Sequence, residues 1–175
     1  MSAIVDTTVL SNFAAAQRLD LLPLLWNEIY IAYPVFEEIR KGVEDGYEFL
    51  RSVEKITYPL HPDGWLKIVF LEDPREVELL AKLPNKLHFG EAVSIAIAAV
   101  RGWMLLTDDR AARLHATQMK VQISGTLGIL ASLVRRGFLS VSEANDILRC
   151  MVVCARYRTP FADLNDLLSF MEREG

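Results

Sequence analysis

The sequence predicts a three-layer α/β/α domain built on a parallel sheet of four or five strands. Three observations predict it. Short runs of β-formers alternate with helix-like apolar periodicity along the chain. Right-handed crossovers turn that alternation into a parallel sheet covered on both faces. Two of the apolar runs, Ala3–Val5 and Trp103–Leu106, stop abruptly at carboxylates, Asp6 in one case and Asp108-Asp109 in the other. Open α/β sheets bind ligands beyond the carboxyl ends of their strands, so acids at those ends read as a candidate site.

Strand one runs from Ala3 to Asp6. The hydroxyls of Thr7 and Thr8 can cap the next helix. That helix carries Val9, Leu10 and Phe13 at helical spacing, and a second apolar run, Leu19 to Trp26, continues the theme. Asn27 to Ala32 (NEIYIA) alternates and is rich in β-formers, which predicts strand two. Pro34 opens a helix at the position proline tolerates best, with Glu37 and Glu38 in its early turns and Gly42 at its end. Glu44 to Lys55 reads as an amphipathic helix. Trp65 to Leu71 (WLKIVFL) reads as a strand at or near a sheet edge, given Lys67.

Asp73-Pro74 starts another helix, with Val77, Leu79, Leu80 and Leu83 as its apolar face and Pro84-Asn85 as its break. The stretch Leu87 to Arg113 follows. It holds a helix start with an acid in its first turn (His88-Phe89-Gly90-Glu91), a small-residue helix Ala92 to Val100 closed by Gly102, and the acid-ended strand. A helix over Arg110 to Met119, a short strand over Val121 to Ile123 and a helix over Gly125 to Gly137 come next. The last helices, Ser142 to Arg158 and Phe161 to Glu174, are separated by Thr159-Pro160. Residues 1–140 are thus expected to form the main domain, with 141–175 a helical extension packed on one side of the same unit.

A chain of 175 residues suits one domain with a substantial core. No apolar run reaches the roughly 18 residues of a membrane span, so no membrane partner is expected. No charged n-region and apolar h-region open the sequence, which makes the cytoplasm the default compartment. The net charge of −4 argues against a bulk electrostatic grip on nucleic acid but leaves room for a local one. Arg110 and Arg113 directly follow the acidic strand end. Lys41, Arg135-Arg136, Arg156 and Arg158 are further basic spots, and each singly reads first as a solvated surface charge. Cys150 and Cys154 lie four apart, and none of His61, His88 and His115 stands at ligand spacing for zinc. Two small apolar residues on one buried helix face is the expected reading.

Asp6, Glu38, Glu91 and the Asp108-Asp109 pair each have a bland explanation, since a carboxylate near a helix N-terminus gains about 0.3–1 kcal/mol from the dipole. Together they mean more. The expected topology brings all of them to one rim, where like charges raise each other's pKa values. A hard divalent cation is the usual neutraliser, and Mg²⁺ suits oxygen ligands while keeping waters for a phosphate substrate. Successive strand residues face opposite ways, so one of Asp108 and Asp109 is expected to point inward, with Asp109 favoured.

The segments IVDTTVLSNF, YPVFEEI, GEAVSIAIA and LLTDD, in that order, resemble the PIN domain, a family of metal-dependent ribonucleases that includes the VapC toxins. The likeness covers Ala3 to about Leu139, and the tail GTLGIL…RRGFLS is similar to a branch with glutamate at the third acid. The resemblance implies Asp6, Glu38, Glu91 and Asp109 as catalytic acids, and Asp6, Glu91, Asp109 and Asp108 as holders of Mg²⁺ or Mn²⁺. It implies the Thr8 hydroxyl beside the first acid and hydrolysis of a phosphodiester in single-stranded RNA; Arg110 or Arg113 could then steady the RNA backbone, with salt bridges to the acids an equal alternative. It also implies a toxin role with a small antitoxin as partner, and is compatible with a homodimer. Exposed apolar faces around Phe13, Leu22 and Trp26 would be docking surfaces, with core burial the alternative. Two rivals stand beside it. Asp6-Thr7-Thr8 is similar to the nucleophile motif of haloacid-dehalogenase-type phosphotransfer enzymes, although those need a second acid where Thr8 stands. A PIN-like binding module with a structural cation, or a housekeeping nuclease, is the other.

Overall fold

The computed structural model describes residues 1–161 and 163–174; Ala162 and Gly175, both within the expected C-terminal extension, lie outside the described residues. Among these, six strands form one parallel sheet: β1 (Ser2–Val5), β2 (Glu28–Ala32), β3 (Thr57–Tyr58), β4 (Leu66–Val69), β5 (Met104–Leu106) and β6 (Ile123–Ser124). Their order is β3-β4-β2-β1-β5-β6. Ala3, Ile4 and Val5 are fully buried because helices cover β1 on both faces. β1 pairs with β2 through Val5 opposite Ile31 and with β5 through Val5 opposite Leu106. From β1 the chain adds β2, sets β3 at the edge and inserts β4 between them, then returns to add β5 and β6 on the other side of β1. The crevice where that direction reverses is where such sheets bind ligands.

The helices are α1 (Thr7–Ala15), α2 (Tyr33–Glu44), α3 (Arg51–Glu54), α4 (Pro74–Lys82), α5 (Phe89–Arg101), α6 (Arg110–Gln118), α7 (Thr126–Arg135), α8 (Val141–Cys154) and α9 (Leu164–Glu174). α5 lies across β1, β2 and β5, which its small residues Ala92, Ala96 and Ala98 permit. Gly102 closes it in the left-handed conformation (φ 67°), the usual cap because glycine has no Cβ to clash there. α8 packs against α1 and α7 and adds Ala144, Ile147, Leu148 and Met151 to the single core. None of the described helices is long and apolar enough to cross a membrane.

Several local expectations are corrected. The sheet has six strands rather than four or five, since β3 is only two residues long and shows no alternation. α2 runs through Gly42 to Glu44, because Val43 continues its buried stripe. The expected Glu44–Lys55 helix is broken by the turn at Gly46 (φ 97°), and a 3₁₀ turn, Glu48–Leu50, precedes the four-residue α3. α8 ends at Cys154 instead of continuing to Arg158. Phe13, Leu22 and Trp26 are buried in the core, so they form no docking surface. Cys150 is half-buried and Cys154 exposed, so the pair does not share a buried face.

On α4 Val77 is exposed and Glu76 is buried instead. Its carboxylate accepts from Arg101 Nε at 2.6 Å and from the Glu72 and Asp73 amides at 2.8 and 3.2 Å. Burial pushes Glu76 up, but Arg101 and those amides outweigh it and hold the carboxyl below its ordinary range. Arg101→Ala would strand this buried charge. Arg101 is itself 21% exposed, so a loss of about 3 kcal/mol, at the low end for breaking such a pair, is expected by urea denaturation. A loss below about 1 kcal/mol would show that Glu76 is neutralised some other way.

Candidate active site

Asp6 and the Thr107-Asp108-Asp109 segment lie side by side at the switch point, tied by the Asp6 N–H donating to Leu106 O at 3.0 Å. Asp6 caps α1. Its Oδ1 accepts from Thr8 N at 3.0 Å, Val9 N at 3.2 Å and Thr8 Oγ1 at 2.7 Å, and its Oδ2 accepts from the Thr107 hydroxyl. The side chain is 2% exposed. Burial pushes the Asp6 carboxyl up to about 7, against the Thr107, Thr8 and Val9 donors that pull it down, and the neighbouring Asp108 charge adds to the rise. Thr8 links the two acidic strand ends, since its Oγ1 also accepts from Asp108 N at 2.9 Å. A bridging hydroxyl where phosphotransfer enzymes need an acid removes the aspartyl-nucleophile reading.

The two aspartates after β5 point different ways. Asp108 Oδ1 accepts from Thr126 N at 2.9 Å, and Oδ2 from Asn12 Nδ2 at 3.1 Å and Thr126 Oγ1 at 2.5 Å. Gly125 makes this approach to the start of α7 possible, since a Cβ there would sit 2.5 Å from Asp108 Oδ1. Asp109 instead caps α6, accepting from Ala112 N at 2.8 Å, while its own N–H donates to Thr107 Oγ1 at 3.1 Å.

Glu91, in the first turn of α5, accepts from His88 N at 3.1 Å. Burial raises its carboxyl above the ordinary range, and the Asp109 and Glu38 charges raise it further against the pull of His88. Glu38 is exposed on α2, and its Oε2 accepts from Thr7 Oγ1 at 2.8 Å. A Cβ on Gly90 would lie 2.7 Å from Glu38 Oε1, which puts that carboxylate against the opening turn of α5. The rim therefore has two parts. Buried Asp6 and half-buried Asp108 form a hydrogen-bonded back wall, while in front of it Glu91 is repelled by the charges of Asp109 and Glu38.

Arg110 is exposed beside Asp108 and Asp109. Arg113 reaches backward, and its Nη1 donates to Thr107 O at 3.0 Å. Thr107, Asn12, Thr126 and Tyr157 are additions that sequence reasoning missed. Only Asn12 left a trace, as a lone amide on an otherwise apolar helix face. Tyr157 comes from the chain beyond α8, and burial together with the adjacent Asp108 carboxylate holds its phenol well above the usual range.

Among known proteins, the profile of the DUF3368 family, described as a PIN domain, matches residues 2–171. Two solved structures are similar. One is a PilT N-terminus domain protein, SSO1118, from the hyperthermophilic archaeon Sulfolobus solfataricus P2. It is 14% identical with a TM-score of 0.45, over 75% of this chain and 92% of that one. The other is PAE2754 from Pyrobaculum aerophilum, 21% identical with a TM-score of 0.47, over 79% of this chain and 100% of that one. No curated protein matches. The family match spans nearly the whole chain, strands and acidic rim included, and the chain belongs to the PIN-domain family, whose members are generally nucleases.

Proposed function

We propose that this protein is a Mg²⁺- or Mn²⁺-dependent endoribonuclease that hydrolyses phosphodiester bonds of single-stranded RNA. The observation that carries the reading is the convergence of Glu38, Glu91 and Asp109 at the switch point, where the other two charges raise the cost of ionising Glu91. As placed, no three Asp, Glu, His or Cys groups among the described residues stand close enough to hold an ion. The donor set nevertheless fits one kind of ion, since it consists of carboxylate oxygens alone, the ligands of a hard divalent cation. Glu91 and Asp109 would hold it. Asp6 would join by turning away the Thr8 or Thr107 hydroxyl, and Asp108 would keep that wall in place through Asn12 and Thr126. A bound cation supplies a water of lowered pKa and neutralises charge on the leaving oxygen. Glu38, anchored by Thr7 and facing solvent, would accept one proton of the attacking water as its oxygen bonds to phosphorus; the bond from phosphorus to the leaving ribose oxygen then breaks, and that oxygen takes a proton from solvent.

The purified chain is expected to cut single-stranded RNA in Mg²⁺ or Mn²⁺ and to stop in chelator. Cleavage indifferent to chelator would contradict the proposal, and cation binding without cleavage would leave a binding module. The toxin role, with a small antitoxin as partner, rests on the motif resemblance. Expression alone should slow growth, and co-expression of the neighbouring gene should relieve it. Harmless expression of a chain that cleaves RNA in vitro would leave a housekeeping nuclease.

A further inference from the structure

Beside the acidic rim the surface opens into a groove of about 350 Å³, lined by Asn12, Asp108 and Asp109 and by Arg110, Arg156 and Arg158. Elsewhere six arginines pair with carboxylates, among them Arg51–Glu48, Arg75–Asp73, Arg101–Glu76 and Arg149–Asp146, whereas Arg113 donates to a backbone carbonyl and Arg135 and Arg136 make no ion pair among the described residues. The three groove arginines stand unpaired with carboxylates beside them. Among the described residues none of their guanidinium groups makes a hydrogen bond or an ion pair, although two aspartates share the groove with them. The aspartates are already engaged, Asp108 by Asn12 and Thr126 and Asp109 by the Ala112 amide.

The geometry of the chain after α8 sets this wall. Arg156 turns the backbone with φ 55°, and Tyr157 N donates back to Met151 O at 3.2 Å. Tyr157 is thereby half-buried beside Asp108, while Arg156 and Arg158 on either side of it stay exposed. The groove thus presents three unpaired guanidinium groups next to two of the rim's acids. Guanidinium groups fit phosphate oxygens with paired N–H donors, and three of them around one open groove suit a chain of phosphates better than a single anion.

We propose that Arg156 and Arg158, together with Arg110, seat the phosphates of single-stranded RNA next to the scissile bond, which makes the segment after α8 a substrate-positioning element. This rests on the nuclease reading above. The test is binding of a fluorescently labelled single-stranded oligoribonucleotide, followed by anisotropy over a salt series in the cleavage-deficient Glu91→Gln background with Mg²⁺. Arg156→Ala/Arg158→Ala should weaken binding at least tenfold and flatten the slope of log affinity against log salt by about 0.7 for each phosphate no longer held. Arg156→Lys/Arg158→Lys should keep the slope, and Arg135→Ala/Arg136→Ala at the C-terminal end of α7 should change neither quantity. With Glu91 intact, the double alanine variant should raise KM and retain kcat at saturating RNA, with an unchanged melting temperature.

Unchanged affinity and slope in a double alanine variant of a chain that cleaves RNA would overturn this inference and leave the nuclease reading standing. A wild type that neither binds nor cleaves RNA would overturn both. Polyglutamate that displaces RNA and binds more tightly would overturn it in favour of an acidic protein segment.

Discussion

Glu91→Gln is expected to lower RNA cleavage by about a thousandfold, roughly 4 kcal/mol of transition-state stabilisation, while the fold survives. The substitution is clean because glutamine keeps the oxygen that accepts from His88 N at the start of α5. What it removes is the charge that Asp109 and Glu38 crowd. The melting temperature in chelator should hold or rise slightly, since the charge that Asp109 and Glu38 repel is gone. Steady-state cleavage and a melting curve on the same preparation check both halves. A variant retaining wild-type cleavage would remove Glu91 from the site, and one that fails to fold would mark it as a helix cap alone.

Asp6→Asn is expected to change the pH dependence of stability in chelator by about 4 kcal/mol. Burial pushes the Asp6 carboxyl from an ordinary 3.8 up to about 7 in the folded protein. A raised folded pKa stabilises below the unfolded value, and that stabilisation is lost as pH rises through the folded one. Relative to the asparagine variant, the wild type should therefore be level below pH ~4, fall by about 1.4 kcal/mol per unit towards pH ~7, and level off above it. The variant carries its own constant cost. Its amide N–H₂ meets the Thr107 hydroxyl, which now donates to Asp6 Oδ2, while its oxygen can still cap Thr8 N and Val9 N. The shape of the difference curve is thus the informative quantity. Urea denaturation across pH 4 to 8 gives it, and a flat difference would mean that Asp6 stays ionised throughout, as a plain helix cap.

The acids of the rim were legible because each sits where the pattern changes. Asp6 and Asp108-Asp109 interrupt apolar strands, and Glu91 opens the small-residue helix that covers them. Parallel strands joined by helices then leave little freedom in where those ends meet. What surrounds the acids was not legible. The clasp of Asp108 by Asn12 and Thr126 joins residues 96 and 18 apart, and no local period encodes a hydrogen bond. Phe13, Leu22 and Trp26 show the complementary limit: periodicity marks an apolar face without saying whether the fold covers it. The end of α8 was missed for a third reason. Ala155 to Arg158 contains no glycine or proline, so nothing in its composition announces the left-handed turn at Arg156 that brings two arginines to the groove.

The shared acidic site itself is tested most directly by melting the wild type and Glu91→Gln at neutral pH, in chelator and across a Mg²⁺ titration. A ligand that binds only the folded state stabilises it by about 2.7 kcal/mol at a hundredfold excess over Kd, which for a chain of this size raises Tm by roughly 5–10 °C. The wild type should show that rise and the variant only a small part of it. Equal rises in both, or none in the wild type, would mean that Glu38, Glu91 and Asp109 hold no common cation, and the metal-dependent mechanism would fall with them.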